Sequence, residues 1–295
     1  MIKKIYTFGT SFTEGGGFEF QVHEEIKYVY QGTGEHFTKN SFSYPGQLQK
    51  LIPDIEVINL AKSGYGNERM YRLAADLVLS DNFNTNESLF IFEFSHLGRK
   101  EYFSKNLNDY IIANYSPESN GEAIIEFNGA ARTWSQPDDA AGADLSKLPS
   151  DDWFSSFLKL TQTESVQHEL VVNNVNTFLS FLKQRNVNYL LSAPPFYLPP
   201  NTWDDLLESH FINMRGKNCL HSFCKEKMST IEEETYGYHL DGHYGLIASK
   251  LISSFIHDEL IDRNIISGSK LNKKRSDFDE LKERIKNNSK KIMGN

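Results

Sequence analysis

The chain has 295 residues, enough for one large domain with insertions or two small ones. Hydrophobic residues make up 39% and charged residues 24%, a balance that excludes wholesale disorder. The formal net charge of -8 disfavours non-specific nucleic-acid binding, because an acidic surface repels phosphate backbones.

The opening residues, Met1-Ile2-Lys3-Lys4-Ile5-Tyr6, carry two lysines but neither the long apolar stretch nor the small-residue cleavage site of a secretory signal. No run of 18 apolar residues occurs, so no membrane span is expected and the default location is the cytoplasm. Cys219 and Cys224 make neither a disulfide framework nor a zinc-ligand set, and they read as ordinary thiols.

In chain order, Ile2 to Phe8 is short, β-prone and ends at a glycine, so it predicts a first strand. Gly9 to Gly17 reads as a turn-rich loop. Tyr44 to Ile52 places Leu48, Leu51 and Ile52 on one side and predicts a helix. Ile55 to Asn59 predicts a second strand, followed by a loop from Ala61 to Gly66. Met70, Leu73, Ala74, Leu77 and Val78 recur at helical spacing, so Glu68 to Leu79 is a helix. Ser88 to Phe94 is an almost continuous apolar run, as in a strand buried on both faces.

From about Lys100 to Glu164 periodicity is weak. The segment reads as an insertion over the rim of the sheet, with Ala140 to Pro149 as loop and a lid or specificity element as its natural use. Val166 to Gln184 is an amphipathic helix, Val187 to Ser192 a short buried strand stopped by Pro194 and Pro195, and Leu246 to Leu260 a last core helix. The tail, residues 263–295, is basic: from Lys270 onward it holds nine Lys/Arg against four Asp/Glu. Phe278, Leu281 and Ile285 sit at helical spacing there, a helix suited to docking on its own acidic domain or on a second copy.

Alternation of strands and helices predicts a parallel sheet covered on both faces, a flavodoxin-like three-layer α/β/α sandwich with a lid-like insertion and a C-terminal helix. In such sheets the active site lies beyond the carboxyl ends of the strands. The loops after Phe8, Asn59, Phe94 and Ser192 should therefore share one rim.

Three blocks on that rim carry chemistry. In Gly9-Thr10-Ser11-Phe12-Thr13, a serine follows a buried strand, where a base could activate its hydroxyl and its own N–H could help hold an oxyanion. In Asn59-Leu60-Ala61-Lys62-Ser63-Gly64, Gly64 could present an unobstructed N–H, and Asn59 could bond the neighbouring loop and fix it. In Asp241-Gly242-His243, the imidazole could accept the serine proton near neutral pH and Asp241 could orient it. Each block alone also reads as ordinary structure: a common Gly-Thr-Ser turn, a glycine turn with Asn67 as helix N-cap, a structural histidine.

Together the three blocks resemble the SGNH/GDSL hydrolase superfamily over residues 1–99 and 166–260. The resemblance implies Ser11 as nucleophile, His243 as base, Asp241 as acid and Gly64 as oxyanion glycine. Tyr189 to Pro195 is similar to the family's fourth strand and its proline-rich exit. Thr10 stands where the family has Asp, a position outside the triad. The spacing Asp241-x-His243 is closer than the family's usual Asp-x-x-His and is similar to that of acyltransferase members. The family's Gly-x-Asn after the third strand is replaced by Phe94-Ser95-His96-Leu97-Gly98-Arg99. His96, Arg99 or Asn67 is then the candidate substitute donor; Arg99 equally suits a substrate carboxylate or phosphate, or a salt bridge. His239 reads as a structural or rim residue.

The expectation is an ester hydrolase acting through an acyl-enzyme on an acylated carbohydrate or small ester, with no metal or organic cofactor. Residues 1–262 would carry the reaction. Trp134 and Trp153 in the insertion suit either core packing or stacking on a sugar. The competing readings are an O-acyltransferase of the same fold and a catalytically inactive binding or assembly protein.

Overall fold

A computed structural model describes residues 1–15, 42–62, 65–95, 99–104, 109–115, 123–127, 130–133, 164–192 and 244–271, with His210, Ile212 and Leu220. Cys219, Cys224, Trp134, Trp153, His239, Pro194, Pro195 and the tail beyond Leu271 lie outside the described residues.

The first strand, β1 (Lys4–Phe8), runs through the middle of a parallel sheet. The short α1 (Ser11–Glu14) follows it, where the sequence predicted only loop. Four residues are too few to show a periodicity, and Gly15, at φ 93°, ends the turn in the left-handed region that glycine adopts without strain. Helix α2 (Tyr44–Leu51) starts at Ser43 with Pro45 in its first turn, and leads to β2 (Glu56–Asn59). Then come α3 (Asn67–Leu79), β3 (Ser88–Glu93), the strands β4 (Arg99–Ser104), β5 (Asp109–Tyr115), β6 (Ala123–Phe127) and β7 (Ala130–Thr133), α4 (Glu164–Gln184), β8 (Asn188–Ser192) and α5 (Leu246–Asp262).

The central sheet has the order β2-β1-β3-β8, all parallel. Thr7 pairs with Asn59, Phe8 with Phe92 and Glu93 with Ser192, so all four carboxyl ends lie on one edge, as predicted. Strand alternation divides the core in two. Ile5, Leu89, Ile91 and Leu190 face Tyr44, Leu48 and Ile52 around α2, and Ile247, Ile252, Ile256 and Leu260 of α5. Tyr6, Phe8, Phe90, Phe92 and Leu191 face Met70 and Ala74 of α3, and Val175, Phe178, Leu179 and Leu182 of α4. The result is a three-layer α/β/α fold with a parallel sheet flanked by helices, the predicted class. Every residue of β3 is buried, as its apolar run required.

The second face is aromatic. Phe8 and Phe92 stack with centroids 4.6 Å apart, Phe90 meets Phe8 edge-on at 5.1 Å, and Phe178 stands perpendicular to Phe92 at 5.3 Å. The outer edge of β8 is partly covered: Leu191 accepts from Ile212 and donates to His210, both at 2.9 Å.

The segment after β3 departs from the expectation of an unpatterned insertion. It forms a four-stranded antiparallel sheet of consecutive strands β4 (Arg99–Ser104), β5 (Asp109–Tyr115), β6 (Ala123–Phe127) and β7 (Ala130–Thr133). The strands are short, but they carry the β-favouring clusters Tyr102-Phe103, Tyr110-Ile111-Ile112 and Ile124-Ile125. Phe127 pairs with Ala130, so only Asn128 and Gly129 connect β6 to β7, and Asn-Gly is the strongest short hairpin signal. An ion pair ties this sheet to the core: Arg72 of α3 donates to Glu101 of β4 at 2.9 Å. Burial raises the Glu101 carboxyl pKa, and the bond from Arg72 opposes that rise.

Beyond α5 the chain stays on the domain for a few residues. Ile265 and Ile266 pack against the first core face, and the Leu271 N–H donates to Asp258 at 2.7 Å. Among the described residues no helix is long and apolar enough to cross a membrane.

Candidate active site

The order β2-β1-β3 reverses direction between β1 and β3. In open α/β sheets this reversal opens a crevice beyond the strand ends. Ser11 sits there, three residues past Phe8, at the start of α1 and only 5% exposed. The turn is held from several directions. Leu60 and Lys62 donate backbone bonds to Thr7 and Gly9, joining the exits of β2 and β1. Asn59 acts as the sequence predicted. Its amide nitrogen donates to the Thr13 carbonyl at 3.0 Å, and its oxygen accepts from the Ala61 N–H and the Thr7 hydroxyl.

Gly9 is required by a close approach. A Cβ there would overlap Thr13 Oγ1 and Cβ. Gly9→Ala is therefore expected to cost about 1–3 kcal/mol of stability by displacing Thr13, measured by urea unfolding. Unchanged stability would mean that Thr13 yields freely.

Thr13 is the entry to a buried polar network that sequence reasoning missed. Its hydroxyl donates to Glu93 Oε2, and Tyr244 Oη donates to Glu93 Oε1 at 2.8 Å. Tyr44 Oη lies 3.5 Å from Thr13 Oγ1. Glu93 is 2% exposed at the last position of the fully buried β3. Burial pushes its pKa from the usual 4.5 up to about 7, and the bonds from Thr13 and Tyr244 pull against that rise. Burial likewise raises the Tyr44 phenol. The available signal was a single carboxylate inside the run Leu89-Phe90-Ile91-Phe92-Glu93-Phe94.

The shift fixes a sign for stability against pH. Folded Glu93 keeps its proton to about pH 7, whereas the unfolded chain releases it near 4.5. The native state therefore binds more protons in between. The stabilisation present below pH 4.5 is lost as pH rises toward 7, by an amount on the order of 3 kcal/mol. Denaturant midpoints at pH 4.5 and 7.5 check this. Relative to Glu93→Gln, the wild type should lose stability as pH rises, and a constant difference would contradict the assignment.

Asn67 departs from its predicted place as N-cap. Gly66 is the N-cap, and Asn67 is the first helical residue, buried. Its side-chain oxygen accepts from the Ser95 N–H at 2.6 Å, and its nitrogen reaches the Ser95 carbonyl at 3.5 Å. Ser95 in turn donates to the Tyr65 carbonyl at 3.3 Å. Asn67 thus joins the loop after β2 to the exit of β3.

Among the remaining sequence candidates, the backbone of Arg99 opens β4. Gly64, His96, Asp241 and His243 lie outside the described residues. Tyr244, the residue after His243, packs its ring on Phe12, the residue after Ser11, with centroids 4.9 Å apart. Among the described residues, no group of three or more His, Cys, Asp or Glu side chains could hold a metal ion.

No family model matches the chain, and no curated protein matches it. Among solved structures it is similar to a candidate lipolytic protein of the G-D-S-L family from Desulfitobacterium hafniense DCB-2. The two are 15% identical, the alignment covers 88% of this chain and 99% of that one, and the TM-score is 0.40.

Proposed function

We propose that the protein is a serine-dependent ester hydrolase with Ser11 as nucleophile. The observation that carries this reading is the place of Ser11: it opens the turn after β1, at the sheet's direction switch, and the ring of the next residue, Phe12, packs on Tyr244, the residue that follows His243 in sequence. In the proposed reaction Ser11 Oγ bonds to the ester carbonyl carbon while His243 takes its proton. The tetrahedral oxyanion is met by the Ser11 and Gly64 N–H groups, with Asn67, His96 or Arg99 as further donor. Collapse breaks the C–O bond, and the leaving alcohol takes the proton from His243. Water then attacks the acyl-serine by the same base and releases the acid. Asp241 orients the imidazole and stabilises its charged form.

The substrate in this reading is an acylated carbohydrate or small ester. The antiparallel sheet starts a few residues beyond the exit of β3, which is a favourable place for a specificity element. No cofactor enters the scheme.

Turnover of p-nitrophenyl acetate, butyrate and octanoate tests it, with and without added sugar alcohols as acceptors. Acid release that is lost in Ser11→Ala supports the hydrolase. Acyl transfer to the added alcohol in preference to water would move the reading to an acyltransferase. No turnover of any ester would favour a binding protein.

A further inference from the structure

Glu93 joins two turns distant in sequence: Thr13, 80 residues before it and two residues past Ser11, and Tyr244, 151 residues after it and one residue past His243. One carboxyl oxygen takes each hydroxyl. Tyr44 Oη of α2 closes on Thr13 from the side, and the Phe12 ring packs on Tyr244. Among the described residues no lysine, arginine or histidine pairs with the carboxyl. An apolar residue would fill this place at the end of β3 with less desolvation cost, so packing alone does not account for a carboxyl there. Its two bonds go to the two segments that a serine–histidine pair must bring into register.

We propose that Glu93 is a positioning residue that fixes the Ser11 turn and the segment leading from His243 to one buried group at the end of the central strand. The claim rests on the esterase reading. Glu93 touches neither substrate nor reacting atoms; it acts through Thr13 and Tyr244. A displacement of about 1 Å between nucleophile and base can cost on the order of 100-fold in rate, which is the scale on which such a clamp acts.

The test uses the full chain, with Glu93→Gln and Tyr244→Phe singly and together. Gln keeps the size of Glu93 but, unlike the carboxylate that Glu93 becomes above about pH 7, cannot accept on both sides, so both readouts are taken at pH 8. Phe keeps the ring against Phe12 and removes only the hydroxyl. Two readouts are taken on protein with a cooperative unfolding transition. One is kcat and KM on p-nitrophenyl acetate. The other is amide hydrogen exchange in peptides covering 9–15 and 244–250.

Each single variant is expected to lower kcat about 10- to 100-fold, with KM within about threefold. The double variant should be no worse than Glu93→Gln by more than about twofold, because both remove one link. Exchange should quicken in both peptides together, although they are far apart in sequence. Folded variants with wild-type kcat, even with a lowered Tm, would reduce Glu93 to a structural residue and overturn the proposal. If wild type turns over no ester, the esterase reading fails and takes the catalytic role of Glu93 with it. Exchange then judges the clamp alone: quickening in only one peptide, or in neither, overturns that as well.

Discussion

Ser11→Ala and His243→Ala are each expected to lower kcat on an activated ester by a factor on the order of 10⁴ or more, and the double variant to lower it no further. A hydroxyl is a weak nucleophile until its proton leaves, so removing the base disables the serine nearly as fully as removing the serine itself. Groups that act as one unit do not add. Steady-state release of p-nitrophenol by the three variants checks this. A double variant worse than either single by the product of their effects would mean that the two residues act separately. His243→Ala at wild-type rate would shift the base to another group, with His239 the nearest alternative in sequence.

Phe92→Ala is expected to destabilise the fold by about 3–5 kcal/mol. Phe92 is fully buried at the centre of the aromatic face. It stacks on Phe8 at 4.6 Å and meets Phe90 at 5.9 Å and Phe178 at 5.3 Å. Its loss removes apolar burial and leaves a cavity between β3 and α4, walled by rings that cannot easily collapse into it. Guanidinium unfolding measures the loss, with Phe92→Leu as the milder comparison because it keeps most of the volume. A change below about 1 kcal/mol would mean that the sheet face is loosely packed. The variant is also expected to disturb the neighbouring Glu93, so activity should be compared only at temperatures where it remains folded.

The parallel core was legible because its signals are strong and local. Ser88 to Phe94 is too apolar for any strand not covered on both sides, and Met70 with Ala74 marks the helix face that meets it. The shared rim followed from the alternation of elements. Asn59 was legible as a clamp because a side-chain amide at a strand end can serve both neighbouring loops at once.

The antiparallel sheet was not legible in the same way. Its strands are four to seven residues long and are interrupted by polar connections, so neither a helical nor a buried-strand template fits them. The Asn128-Gly129 pair was the available clue. Glu93 was hidden by the run that identified its strand, since a period-based reading averages over a single carboxylate. Asn67 was misplaced by one residue at a helix start, the least determinate part of any helix, and its role appears only through Ser95 in the next strand exit. The joining of Thr13 to Tyr244 through Glu93 is long-range, and no local pattern encodes it.

The central claim is that Ser11 is an activated nucleophile, and intact-mass detection after treatment with a fluorophosphonate probe tests it most directly, because no knowledge of the substrate is needed. The serine oxygen bonds to phosphorus and fluoride leaves. One stoichiometric adduct on the wild type, absent from Ser11→Ala and formed much more slowly by His243→Ala, is the predicted result. A folded wild type that takes up no probe, or one labelled equally well after Ser11→Ala, would contradict it.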